Sequence, residues 1–257
     1  MTGPALADLW VWHDPVTSER RFRDLAQREP GLRLAASTQV ARALGLQERY
    51  GDAHAVLDEV ARSDDGTDPE VAVRVSLERG RLVRSAGRPE DAVPLFAEAA
   101  ARAAAALPAD EDLEELYVDA LHMLALDGSP WQRLERTRAA LDVARAARTP
   151  GGRRWDASLL NNLGVAQQET GDLDGALASF EAALALREER GQVREARVAR
   201  WMVGWALRHL GRVADAVVVQ RALKAELEAA GEEDPYVDEE LALLAAEQVS
   251  GDGTPGR

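Results

Sequence analysis

A small residue recurs along this chain at intervals the length of one helix pair. Ala53, Ala92, Leu134, Ala176 and Ala216 are separated by 39, 42, 42 and 40 residues. That period constrains the fold more than any other feature, because each unit is a supersecondary element that buries its apolar face only against its neighbours. The best copies run Gly80, Gly87, Ala92, Phe96, Ala99 and Leu163, Gly164, Gly171, Ala176, Phe180, Ala183. Glycine in the first helix lets the second approach closely, and glycine in the turn adopts conformations that side chains resist. Alanine and an aromatic one turn apart make a small–large contact between adjacent helices. Gly and Pro recur at every pair boundary and no heptad persists, so the pattern predicts stacked helix pairs and not a coiled coil.

Taken in order, the chain predicts an N-terminal helical cap over 1–29, a repeat array over 30–249 and a disordered tail over 250–257. Apolar residues 5 to 12, with Trp10 and Trp12, precede Asp14-Pro15, an N-cap followed by the residue tolerated at the first helical position. A helix from there to Arg28 places Ser18, Phe22 and Leu25 on one face. It reads as the second helix of a terminal pair whose first helix is truncated. The first full pair is Leu34 to Leu46 with Tyr50 to Ala61. In the third pair His122 stands where glycine is expected and Arg138 where an aromatic is expected, so its register is the weakest. Pro94 falls near the first turn of its helix, and Thr149-Pro150-Gly151-Gly152 reads as a flexible inter-repeat turn. A closing helix runs from Tyr236 to about Val249.

Composition narrows the function classes. The chain is 46% hydrophobic and 30% charged, too apolar for disorder and rich in helix formers. Cysteine is absent, which removes disulfides and thiolate metal sites. A net charge of −14 opposes binding to phosphate backbones, so nucleic acid is not an expected partner. No apolar run approaches the ~20 residues of a membrane span. Met1-Thr2-Gly3-Pro4 lacks the basic and apolar order of a signal peptide, and the expected location is cytoplasmic. The four histidines include no i, i+4 pair, and neither a phosphate-binding loop nor a nucleophile elbow is present. Acidic runs sit at helix starts, where they complement the dipole. The chain therefore reads as a non-enzyme without cofactor or metal.

The Leu-Gly pair, the turn glycine and the Ala–aromatic–Ala spacing together resemble the tetratricopeptide repeat family, over roughly residues 30–249. The spacing near 40 exceeds the common ~34 and is similar to the repeats of kinesin light chains and of sensor arrays in bacterial signalling proteins. The resemblance implies an all-α fold: a right-handed superhelical solenoid of about five antiparallel helix pairs, with a cap and a closing helix. It also implies that first helices line a concave groove. Carried over residue by residue, the groove holds Thr38, Gln39 and Arg42, then Arg74, Glu78, Arg81 and Arg84, then Asp119 and Met123. From the fourth pair come Ser158, Asn161, Asn162, Val165 and Gln168, and from the fifth Trp201, Trp205, Arg208 and His209. Asn162 matches a residue of the carboxylate-clamp members, but the lysines of that clamp are missing here.

Three groups in that set point to recognition. Arg74, Arg81 and Arg84 form a stripe suited to carboxylates, opposed by pairing with Glu78 and neighbouring acids. Trp201 and Trp205 share a face and suit an apolar ligand side chain, opposed by packing against the closing helix. Asn161, Asn162 and Gln168 offer donors and acceptors to an extended peptide, opposed by inter-helix hydrogen bonds. The leading expectation is a scaffold that binds a protein or peptide carrying acidic and apolar side chains. The alternatives are a peptide-sensing regulator of a separate effector and a homo-oligomerisation module, with monomer and homodimer both open.

Overall fold

Several helices open on a start signal of their own. Asp14 accepts the Thr17 N–H at 3.0 Å and Pro15 opens the first helix; Asp68 and Asp172 accept from Glu70 and Gly175 in the same way. In the computed structural model, which describes residues 6–251, the helices are α1 Pro15–Arg28, α2 Arg33–Leu46, α3 Tyr50–Ser63, α4 Pro69–Ser85 and α5 Pro89–Ala106. Then come α6 Glu114–Ala125, α7 Pro130–Ala146, the single turn α8 Pro150–Arg153 and α9 Asp156–Glu169. The chain continues through α10 Leu173–Glu189, α11 Val193–His209, α12 Val213–Ala229 and α13 Pro235–Gly251. No strand occurs among the described residues. The fold is all-α, with consecutive antiparallel helices packed as the pairs of a repeat solenoid.

The described parts of Met1–Gly128 and Val143–Arg153 make one compact unit, and those of Ser129–Asp142 and Arg154–Arg257 a second. In the first, α1 packs on α2 as the second helix of an incomplete pair, and α2/α3 and α4/α5 are full pairs. First helices also touch one another, α2 with α4 and α4 with α6. One apolar cluster gathers around Phe22, Leu44 and Leu57, another around Phe96, Leu113 and Leu116. In the second unit α9, α10, α11, α12 and α13 pack in succession. Their core joins Phe180, Val203, Leu207 and Leu244, and α13 adds Val237 against Leu223 and Leu227.

The recurring small residues are explained by close approach. A Cβ on Gly80 would lie 2.5 Å from the Phe96 ring, and one on Gly164 would strike Phe180 in the same way. Gly204 is under Gln220, which replaces the aromatic and donates to the Trp201 carbonyl at 3.0 Å. The turn glycines Gly87, Gly171 and Gly211 take φ of +80°, +86° and +72°. The first pair puts Glu48 there at φ +60°, and the third puts Gly128 at +107°. Gly128 precedes Leu134 by six residues, whereas the other turns precede their small residue by five. This one-residue offset is why the third pair departs from the pattern: Thr137 is buried and Arg138 is exposed.

Three local expectations change. Thr149–Gly152 is not a loose turn: Pro150–Arg153 is helical and packs on α6, and a Cβ on Gly151 would come 2.7 Å from Glu115. Pro94 lies in the second turn of α5 without ending it, its lost acceptor being the carbonyl of exposed Glu90. The last helix runs two residues past Val249, to Gly251. The Met1–Pro4 stretch and positions 252–257 of the expected tail lie outside the described residues.

Candidate functional site

The first-helix residues of the N-terminal unit converge on one concavity. Arg42 comes from α2, Glu78, Arg81 and Arg84 from α4, and Met123 from α6, around a space of about 240 Å³. Leu46, Leu82 and Trp12 complete its apolar part. Trp12 arrives from outside the repeats. Residues 10 to 14 lie over α2, held where Ser18 Oγ accepts the Val11 N–H at 2.8 Å and donates to the Val11 carbonyl. Trp10 packs edge-on against Phe22 and its indole N–H donates to Gln39 at 3.3 Å. Trp12 stacks on Trp10 with ring centroids 4.4 Å apart and remains 56% exposed.

The arginine stripe is answered almost group for group by carboxylates. Arg74 pairs with Glu70 at 2.6 Å; Arg81 bonds both Asp119 oxygens, at 2.5 and 2.6 Å, and Glu78 at 2.7 Å; Arg84 pairs with Asp127. Burial works against the Arg81 charge, but Asp119 and Glu78 outweigh it and raise its pKa. Burial likewise opposes ionisation of Asp119, and Arg81 and Arg42 hold its carboxyl below the usual range. His122, on the same helix as Asp119, is pushed down by burial and by Arg81, Arg42 and Arg84, against the pull of Asp119. The stripe is thus a zwitterionic network and not an open cationic surface.

Arg42 is the exception. Its guanidinium lies 5.1 Å from the Trp12 ring centroid and 5.4 Å from that of Trp10, where the aromatic faces stabilise its charge. Its nearest carboxylate oxygen is Glu78 Oε1 at 4.0 Å, and it makes no hydrogen bond among the described residues. Burial and the neighbouring Arg81 cation lower its pKa. Glu78 is 1% exposed; Oε1 accepts from Arg81, while Oε2 has no hydrogen-bond partner among the described residues.

The remaining groove residues of the first pair are covered. Thr38 and Gln39 are buried beneath Trp10, with Thr38 Oγ1 donating to the Ala35 carbonyl and Gln39 Nε2 to Thr38. Their part of α2 is occupied by the chain itself. Sequence reasoning placed Arg42, Arg74, Glu78, Arg81 and Arg84 on one surface but missed Trp12 and Asp127. The apolar run before Asp14-Pro15 was the available signal for Trp12.

In the second unit, α9 presents Asn161, Asn162, Val165 and Gln168, all half-buried, and Ser158 accepts from Arg187 at 3.3 Å. The side chains of Asn161 and Gln168 make no hydrogen bond to a described residue. On α11, the Trp201 indole donates to the Tyr236 carbonyl at 3.2 Å and Trp205 stacks on His209 at 3.7 Å. Both tryptophans join apolar clusters that include α13 side chains. Arg208 bonds Glu240 at 2.6 Å and Glu247 at 3.2 Å, both on α13. The closing helix therefore engages both indoles and the arginine, leaving Asn161 and Gln168 as the polar groups of that face without a described partner.

Residues 157–190 match the family model of the tetratricopeptide repeat. No curated protein matches the chain in sequence. Among solved structures, BtubC (BKLC) from P. vanneervenii is similar over 91% of this chain and 95% of its own, at 21% identity and a TM-score of 0.65. A putative kinesin light chain from Podosopora anserina with nearly identical TPR-like repeats is similar over 75% of this chain and 94% of its own, at 18% identity and 0.57. A signal-transduction ATPase with a tetratricopeptide repeat sensor, from Pyrococcus horikoshii, gives 0.66 at 11% identity over 94% of this chain. This chain spans about a third, 34%, of that protein. These identities carry the fold alone. Residues 157–190 thus match a tetratricopeptide repeat, and the chain shares the helix-pair fold of these TPR-like structures.

Proposed function

We propose that the chain is a non-catalytic scaffold that binds a polypeptide through first-helix faces, and that the concavity over α2, α4 and α6 is its principal contact. The carrying observation is the pairing there of an exposed indole, Trp12, with a guanidinium, Arg42, that has no hydrogen-bonding partner among the described residues. Tryptophan and arginine are the residue types that concentrate binding energy at interfaces. An apolar side chain of the ligand packs on Trp12, Leu46 and Met123. The Asn161 and Gln168 face of the second unit is a secondary contact for main-chain groups. Because Arg74, Arg81 and Arg84 are internally paired, the ligand needs no strong acidic character. It is neither a nucleic acid, given a net charge of −14, nor a membrane surface.

The test is selection from a displayed library of random peptides, repeated with Trp12→Ala and Arg42→Met. Enrichment of a motif by the native chain, lost in either variant with melting temperature retained, supports the reading. A motif that both variants enrich equally well places the contact elsewhere.

A further inference from the structure

Trp12 keeps one π-face bare where it lines the concavity. Trp10 covers the other face, the two rings lying 4° from parallel with centroids 4.4 Å apart. Arg42 is 5.4 and 5.1 Å from the Trp10 and Trp12 centroids, almost equidistant. A guanidinium centred on the outer face of Trp12 would be farther from Trp10 by most of the ring spacing, so Arg42 does not cover that face. The 56% exposure of Trp12 therefore includes the face turned away from Trp10, and Leu46, 52% exposed, lines the same space.

The polar lining is one-sided. Arg42 keeps 25% side-chain exposure and makes no hydrogen bond among the described residues, so its N–H groups are donors in want of an acceptor. The carboxylate oxygens, by contrast, are closed to a ligand. Glu78 Oε1 and both Asp119 oxygens accept from Arg81, and Asp127 Oδ1 accepts from Arg84. Glu78 Oε2 and Asp127 Oδ2 are shut away from solvent. A polypeptide lodged here can give an acceptor to Arg42 but finds no carboxylate for its own N–H.

Proline meets those terms, since it has an apolar ring, no N–H and an acceptor carbonyl just before it. Resting on the binding reading above, we propose that Trp12 and Arg42 form a subsite for an X-Pro dipeptide of the bound polypeptide. The ring packs on the outer face of Trp12 beside Leu46, and the carbonyl of the preceding residue accepts from Arg42. The residue before proline is held to extended conformations, so ring and carbonyl arrive in a fixed relation and less ordering is lost on binding. Any other residue in the proline position brings an N–H that loses water and gains no carboxylate. A cationic side chain suits an indole but meets Arg42, Arg81 and Arg84. An anion is drawn by no net field, because Glu78, Asp119 and Asp127 balance those three arginines charge for charge. The exposed Ser85 hydroxyl, also on the lining, is met by solvent.

Peptide pools with one fixed central residue (Pro, N-methylalanine, Ala, Phe, Lys or Glu) between random flanks provide the probe, with the full chain as bait. The native protein should retain the Pro pool over the Ala, Phe, Lys and Glu pools by about tenfold, the loss expected when one N–H is left unsatisfied. N-methylalanine, which lacks both the N–H and the ring, should fall between Pro and Ala. Trp12→Leu should remove the advantage of Pro over N-methylalanine, whereas Trp12→Phe, which keeps an aromatic face, should retain it. Arg42→Met should cut capture of the Pro pool to about a tenth, with circular dichroism melting to verify each fold. Trp12-dependent capture that favours no pool, or favours Phe over Pro, overturns the proline subsite and leaves the scaffold reading standing. Capture of no pool sinks both. An unchanged Pro preference in folded Trp12→Leu, or undiminished Pro capture by folded Arg42→Met, also overturns the subsite.

Discussion

At the scale of single residues, the contrast between Arg81 and Arg42 carries the most meaning. Both are arginines on first-helix faces, yet Arg81 hydrogen-bonds two carboxylates while Arg42 rests on indoles and, among the described residues, meets a carboxylate only as the 4.0 Å ion pair with Glu78. His122 is the neighbouring residue with a readable pH consequence. Its pKa in the fold lies below its ordinary value of 6.5, through burial and the cations around it. As pH falls below 6.5 the unfolded chain takes up a proton that the folded chain declines until its own lower pKa is reached. Stability is therefore full above 6.5 and is lost progressively between those two values. The urea midpoint should fall as pH drops from about 7 to about 5.5, and His122→Gln should flatten that part of the profile. A profile with the same slope in the variant would assign it to another group. The sequence flagged His122 only as an interruption of the glycine pattern, because its surroundings come from Arg42 and Arg81, 80 and 41 residues away in the chain.

At the scale of elements, α13 is the part whose role the sequence described in outline and the structure filled in. A lone closing helix follows from the end of the repeat; that it binds by ion pairs as well as by Val237 and Leu244 does not. Arg208 reaches Glu240, which is 3% exposed, and Lys224 reaches Asp238 at 2.8 Å. Removing one partner of a buried pair strands the other, so Arg208→Met should cost about 3–5 kcal/mol by urea denaturation. The double replacement Arg208→Met with Glu240→Leu should recover most of it. If the double variant is no better than the single one, Glu240 was not stranded. The first-turn segment Thr149–Gly152 teaches the converse lesson. Its Pro-Gly-Gly composition suggested looseness, and the glycines are there because Glu114, Glu115 and Ala147 leave no room for a Cβ.

At the scale of the whole molecule, a chain built from stacked pairs has stability that is a sum of local terms and nearest-neighbour interfaces. Phe180 occupies the contact between α9 and α10 and is fully buried. Phe180→Ala should cost about 3–5 kcal/mol, and the loss should appear in hydrogen exchange of α9 to α12 while α1 to α5 keep their protection. Uniform acceleration along the chain would show a single cooperative unit.

The period, the glycines and the apolar faces sufficed to determine the all-α helix-pair fold, since every one of those signals is local or lies within a single pair. Phe96 over Gly80 and Phe180 over Gly164 are legible because partners 16 residues apart obey a fixed spacing. Tertiary structure alone decided which charges remain available. The stripe of Arg74, Arg81 and Arg84 was visible in the sequence, but Glu70 pairs with Arg74 from the same helix, and Asp119 on α6 and Asp127 just after it pair with Arg81 and Arg84. The segment carrying Trp10 and Trp12, which belongs to no repeat, covers Gln39 and leaves Arg42 open beside Glu78. Packing of a repeat is dictated by spacing; electrostatic pairing depends on distances between side chains that no local pattern encodes.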